Sequence, residues 1–250
     1  MRAFPRTLRT LEEAARAGAV PGGVVAVADA GDVLLVRAVG RAALVPRPTR
    51  ATVATRYDLA SLTKVVCTTT LAMVAVARGR LDLDARAQAL VPELAGRAKR
   101  AIRVRDLLAH CSGLPAHRPF YEQVRGRDAV FDRAAAEPLE YAPRTQSVYS
   151  DLGFLVLGRA LERCLGARLD RLFAAEVAGP LGLRAMRFVD LARPGARAGF
   201  VRRHGVAPTQ VRAGRVRVGA VDDDNAFAMG GVAPHAGLFA PARAVLRFGL

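Results

Sequence analysis

Tyr57-Asp58-Leu59-Ala60-Ser61-Leu62-Thr63-Lys64 runs straight into the apolar stretch Val65-Val66-Cys67-Thr68-Thr69-Thr70-Leu71-Ala72-Met73-Val74-Ala75-Val76. The pattern predicts a helix that begins near Ser61, which puts Ser61 and Lys64 at i and i+3, a single turn apart on one face. A serine hydroxyl is a poor nucleophile until a neighbouring base takes its proton, and a lysine amine does this when its surroundings keep it uncharged. The start of a helix and a dry environment both disfavour a positive charge there. The run that follows is too apolar for a surface helix, so it is expected to bury itself and hold the pair rigid. Lys64 and Lys99 are the only lysines in a chain that otherwise uses arginine, and arginine cannot act as a proton-accepting amine. Taken alone, S-x-x-K also describes an ordinary helix start with a snorkelling lysine, so its context decides.

Composition narrows the classes. At 250 residues the chain is long enough to bury a substantial core, as one domain or two closely packed lobes. A formal net charge of +16 is unusual and raises the question of nucleic acid or an anionic surface. The arginines, however, are scattered through every segment and interleaved with alanine, so nucleic-acid binding is disfavoured. Cys67, Cys111 and Cys164 are too few and too far apart for a disulfide framework or a zinc site, and Cys67 and Cys164 fall in helical apolar patterns as buried thiols. Met1 to Val20 has no continuous apolar stretch of the signal-peptide kind, and Val65 to Ala77 is too short to span a bilayer. The expectation is a soluble, cytoplasmic protein with no membrane contact.

In chain order, residues Thr7 to Ala17 read as a short amphipathic helix, and Pro21-Gly22-Gly23 breaks the chain. Val24 to Ala28 and Val33 to Val39 are β-type runs around a hairpin turn at Asp29-Ala30-Gly31-Asp32, and Arg41 to Thr55 is a loop. Gly79 ends the Ser61 helix. Ile102 to His110 is a helix, 116–140 is loop-rich with some helix, and Leu152 to Leu165 is a strong helix. Leu169 to Ala178 is another, closed by Gly179-Pro180, whereas Met186 to Arg217 reads as irregular with short strands. The division is residues 7–55 as helix and hairpin and 56–250 as a mainly helical body, in one domain of 1–250.

Tyr149-Ser150-Asp151 stands just before the Leu152 helix. A tyrosine there can relay a proton between nucleophile and leaving group. Ser150 and Asp151 can bond a substrate amide or hold Lys64. The plainer alternative is a packing tyrosine with Asp151 as the N-cap.

Taken together with their flanks, these stretches resemble the serine β-lactamase and penicillin-binding-protein family, in the branch of class C β-lactamases and related esterases. The matching segments are Tyr57 to Lys64, Gly79 to Asp84, Val104 to Pro115, Tyr149 to Phe154 and Gly179 to Leu183, in the family's order. The resemblance implies a fold of α/β (α+β) type: an antiparallel sheet flanked by helices, plus a mainly helical lobe, with the site between them. It implies catalytic roles for Ser61 (acylated), Lys64 (base partner) and Tyr149 (proton shuttle). The oxyanion hole would use the Ser61 N–H and a second N–H from a sheet strand. No metal or organic cofactor is implied.

The family's third motif is a Lys- or His-containing triplet ending in glycine on a late strand. His235-Ala236-Gly237 is the obvious candidate, but its setting resembles an earlier glycine-rich turn before a helix that begins near Pro241. On that reading the late strands lie outside these residues, and the hairpin strands lack their main sheet partners. The chain would then be a truncated or split member, completed by a C-terminal chain or inactive as a remnant or interaction module. The rival reading makes His235-Ala236-Gly237 the third motif of a minimal fold. Two further departures are Pro143-Arg144 where the family has Pro-Gly, and Asp151 where it often has Asn; the Asp151 charge would make the Lys64 amine a poorer base. The expected activity is an acyl-enzyme serine hydrolase acting on a small ester or amide, with an ester favoured because antibiotic and cell-wall substrates lie outside the cytoplasm.

Overall fold

The computed structural model describes residues 4–250; residues 1–3, which the single-domain division includes, lie outside the described residues. The first helix, Pro5–Arg16, starts with proline in its first turn and buries none of its residues fully. Strands β1 (Gly22–Asp29) and β2 (Asp32–Ala43) form an antiparallel hairpin with Asp29 opposite Asp32. Ala30 and Gly31 between them both take positive φ (47° and 99°), the two-residue turn whose twist suits a hairpin. The strands are longer than their apolar runs suggest. The expected 41–55 loop contains the tail of β2 and a short β3 (Thr49–Arg50) paired to it. β2 is therefore central and β1 an edge strand among the described residues.

The second sheet carries the site. β4 (Arg56–Asp58) and β5 (Arg187–Phe188) lie on either side of the later strand β8, while β6 (Pro208–Arg212) and β7 (Arg215–Val218) make a separate hairpin. β8 spans Leu238–Pro241 and pairs antiparallel to both neighbours, with Asp58 opposite Phe239 and Phe188 opposite Leu238. The 56–250 body thus holds five short strands as well as its helices.

The main core is helical. In the Asp151–Leu165 helix every residue from Leu152 to Gly158, with Ala160 and Leu161, is buried, so it is apolar nearly all round. Each fully buried Leu, Val or Phe of such a core contributes about 1.5–3 kcal/mol. Helices Val104–Leu108, Arg127–Ala136 and Thr70–Ala77 pack against it. Gly158 admits a close neighbour: a Cβ there would meet Pro234 Cβ at 2.4 Å. The 234–237 loop is thereby brought against the central helix, beneath the start of the Ser61 segment.

Several details depart from the sequence-based expectations. The Lys64–Thr69 turn and the Ala174–Ala178 turn are wound as π-helix rather than α-helix. Met186 to Arg217 contains a helix, Ala196–Arg203, whose only buried residues are Gly199 and Phe200, too few for a visible periodicity. Cys67 is fully buried, but Cys164 is only partly so because it lies late in its helix on the outer side. Lys99 is a structural lysine: its ammonium donates to the Ala135 carbonyl at 2.5 Å. Among the described residues, no helix is long and apolar enough to cross a membrane.

Candidate active site

The chain leaves β4 at Asp58, and this carboxylate shapes the turn that follows. Its Oδ1 accepts the Ala60 N–H at 2.9 Å and its Oδ2 accepts the Asp222 N–H at 2.7 Å. Burial pushes the Asp58 carboxyl up, even against those two N–H bonds. Ala60 then takes a left-handed φ of 45°, which costs energy for a residue with a Cβ. Behind it, the Leu59 N–H donates to the Leu238 carbonyl, and the Thr63 hydroxyl accepts the Leu238 N–H. Ser61 is therefore presented at the surface by a turn fastened on both sides to β8.

Beneath the exposed Ser61 lies Lys64, 2% exposed. Its Nζ donates to Ser61 Oγ at 3.0 Å and to the His235 carbonyl at 3.2 Å. The same nitrogen lies 2.6 Å from Asp151 Oδ1, an ion pair rather than an aligned hydrogen bond. The Tyr149 ring (4.9 Å from Nζ to the centroid) and the Phe154 ring (5.9 Å) complete its surroundings. One turn along, the Thr68 hydroxyl donates to the Pro234 carbonyl at 2.6 Å, holding the same loop against the π-wound turn. Among the described residues, the Ser61 N–H has no hydrogen-bond acceptor, which leaves it available to a developing oxyanion.

Tyr149 is 55% exposed beside this pair. Its ring lies 4.5 Å from that of His110, which in turn stacks on Phe154 at 5.0 Å. The His110 Nδ1 accepts the Ser150 N–H at 3.0 Å, so its ring proton belongs on Nε2. Burial, with the Lys64 charge nearby, pushes the His110 pKa down and keeps that ring neutral.

Ser150 and Asp151 divide their expected work. The Ser150 hydroxyl is buried, donates to the Pro115 carbonyl at 2.6 Å and accepts the Gly153 N–H at 3.0 Å. It is the N-cap of the central helix, with its hydroxyl bonded inside the fold. Asp151 is the first residue inside that helix and pairs with Lys64, while its Oδ2 lies 3.6 Å from His117 Nδ1.

His235-Ala236-Gly237 sits below Lys64 rather than on a late strand of its own, and leads directly into β8 and the Ala242–Gly249 helix. The imidazole is buried, with Nε2 2.9 Å from Asp223 Oδ1. Burial alone would push the Asp223 carboxyl up, but the His235 charge and bond, with the Ala226 N–H, hold it well below the usual carboxylate range. Sequence reasoning gave no role to His110, Asp58 or the His235 carbonyl. The signal for them is tertiary, although His110 stands within the Val104 to Pro115 stretch. Among the described residues, no group of three or more His, Cys, Asp or Glu could hold a metal.

The chain is similar to known proteins along nearly its whole length. The family model described as Beta-lactamase matches residues 8–250. A putative D-alanyl-D-alanine carboxypeptidase of Escherichia coli (strain K12) is 31% identical over 230 residues, covering 78% of this chain and 50% of that protein. An N-acetylmuramyl-L-alanine amidase of Bacillus subtilis (strain 168) is 31% identical over 254 residues, 90% of this chain and 57% of the relative. A solved class C beta lactamase superposes with a TM-score of 0.77 at 23% identity, over 98% of this chain and 63% of that one. The chain thus spans about half the length of the curated relatives it matches.

Proposed function

The chain belongs to the Beta-lactamase family, and we propose that it is a serine hydrolase that forms an acyl-enzyme on Ser61 from an ester or amide. The observation that carries this reading is the 3.0 Å contact between an exposed Ser61 hydroxyl and a buried Lys64 amine. In the proposed reaction, the reactive form is the one whose Lys64 amine has given up its proton: Ser61 Oγ attacks the substrate carbonyl carbon while the hydroxyl proton passes to that amine. The carbonyl oxygen, now negative, takes the Ser61 N–H. As the intermediate collapses, the bond to the leaving group breaks and that group leaves with a proton relayed through Tyr149 from the Lys64 ammonium. Water then cleaves the acyl ester, returning the Ser61 hydroxyl and releasing a carboxylic acid.

One matched relative is named a putative D-alanyl-D-alanine carboxypeptidase and another an N-acetylmuramyl-L-alanine amidase, so a peptide ending in D-alanyl-D-alanine is the first amide to try, beside activated esters. Burst kinetics test the proposal. With p-nitrophenyl acetate, wild type should release about one equivalent of nitrophenol quickly before a slower steady phase. Folded Ser61→Ala should show no burst, and a burst that survives this substitution rules the assignment out.

A further inference from the structure

A basic cavity of about 550 Å³ opens beside the helix Ala196–Arg203, away from Ser61 in the sequence and outside the chemistry above. Arg168, Arg171, Arg187, Arg193, Arg202 and Arg203 line it, against two carboxylates, Asp170 and Asp190. Both carboxylates are already taken: Arg168 bonds Asp170 at 2.7 Å and Asp190 at 2.5 Å. Among the described residues, none of the other five guanidiniums has an acceptor or a carboxylate partner. The arginines that look scattered along the sequence are here collected in one concavity.

Their arrangement is fixed by the sheet and by one glycine. Arg56 in β4 faces Pro241 and Arg187 in β5 faces Phe239, two residues apart on β8, so both arginines project from the same face. Phe239 on that face meets Phe200 of the covering helix at 5.5 Å, and Phe200 meets His204 at 5.3 Å. A Cβ on the buried Gly199 would come within 3.1 Å of Arg203 Nη2 and 4.0 Å of Arg202 Nη2. Both guanidiniums therefore lie over the same backbone point. Like charges crowd here without compensation. Burial, then the charges of Arg56, Arg187 and Arg203, pushes the His204 pKa down, and burial and Arg187 lower that of Arg56. Among the described residues, the buried Arg56 Nε has no hydrogen-bond partner.

We propose that this cavity binds a small anion built of linked phosphate groups, gripped by Arg187, Arg202 and Arg203. Several negative charges are needed to answer five free cations, and the planar guanidinium fork matches phosphate oxygens two at a time. The volume suits a small ligand rather than a macromolecular groove. The N-terminus of the Ala196–Arg203 helix, reached through Arg193 and Gly195 at the cavity edge, adds partial positive charge.

The test is calorimetric titration of the chain with sodium tripolyphosphate at near-physiological salt, with thermal unfolding of the same samples. Wild type should show saturable one-to-one binding and a raised melting midpoint. R187Q/R203Q should bind roughly tenfold more weakly or worse, since it loses charge-assisted bonds, and should melt without ligand no lower than wild type, because repulsion is relieved. R6Q/R9Q, the same change of charge on the first helix, should bind as wild type does. Absence of saturable binding, or equal weakening in both double variants, overturns the site in favour of diffuse charge. Retention on phosphatidylglycerol vesicles that tripolyphosphate does not compete away overturns it in favour of a membrane surface.

Discussion

Lys64 Nζ lies 2.6 Å from Asp151 Oδ1, and this contact joins the start of the Ser61 segment to the first residue of the central helix. Both side chains are largely buried, so the pair fixes the relation between two elements that the chain separates by more than eighty residues. It also places a carboxylate in competition with Ser61 for the amine's proton. Removing one partner of a buried pair is generally costly.

Asp151→Asn keeps the shape and removes the charge. Acylation at neutral pH should become several-fold faster, because no carboxylate then stands 2.6 Å from the amine that must take the Ser61 proton. Single-turnover acylation by p-nitrophenyl acetate measures this, and an unchanged or slower rate counts against the competition.

Lys64→Arg retains the positive charge beside Asp151 but offers no amine that can accept a proton. The acylation rate should fall by about 10²–10⁴, the usual worth of a positioned general base, while circular dichroism stays that of wild type. Rates within a factor of a few of wild type would remove Lys64 from the chemistry.

Gly158→Ala tests the buried support of the site. Its Cβ would collide with Pro234 at 2.4 Å, pushing away the loop whose carbonyls hold Thr68 and Lys64. Overpacking of this kind costs about 1–3 kcal/mol, so the urea midpoint and the acylation rate should drop together. Loss of neither would show that the loop adjusts freely.

Asp223 supplies the pH dependence. Its carboxyl is held well below the usual range in the folded chain, so its stabilising effect is complete above the unfolded-state value of about 4. It is lost as pH falls below that value towards the folded-state one. Glu93, lowered to about 2 by its bond to Arg163, acts in the same direction. Asp223→Asn should therefore lower the urea midpoint at pH 7 and pH 5 by a similar amount, and by less at pH 3. A gap that widened on acidification would contradict the sign.

The parts of this architecture that the sequence makes legible are those written in local spacing. Ser61 and Lys64 meet because three residues make one turn, and the hairpin follows from two β-type runs around Ala30-Gly31. The central helix is visible because Leu152 to Leu161 is interrupted by only one charged residue, Arg159. Other features depend on contacts with no local trace. His110 stacks between Tyr149 and Phe154 from some forty residues away, and Lys64 is held by a backbone carbonyl, which no side-chain pattern encodes. The Ser150 hydroxyl looks free in sequence, yet folding turns it inward as a cap. The Ala196–Arg203 helix escapes notice because it buries only two residues, and the arginines around it look scattered until β4, β5 and that helix converge.

The central claim is that Ser61 is the nucleophile, and trapping it is the most direct measurement. Intact mass after incubation with an activated ester and, separately, with a β-lactam should show one acyl group per chain. Digestion should place that group on the peptide containing Ser61, and folded Ser61→Ala should remain unmodified. A folded wild-type chain that gains no mass, or a Ser61→Ala chain that gains it equally, would contradict the account.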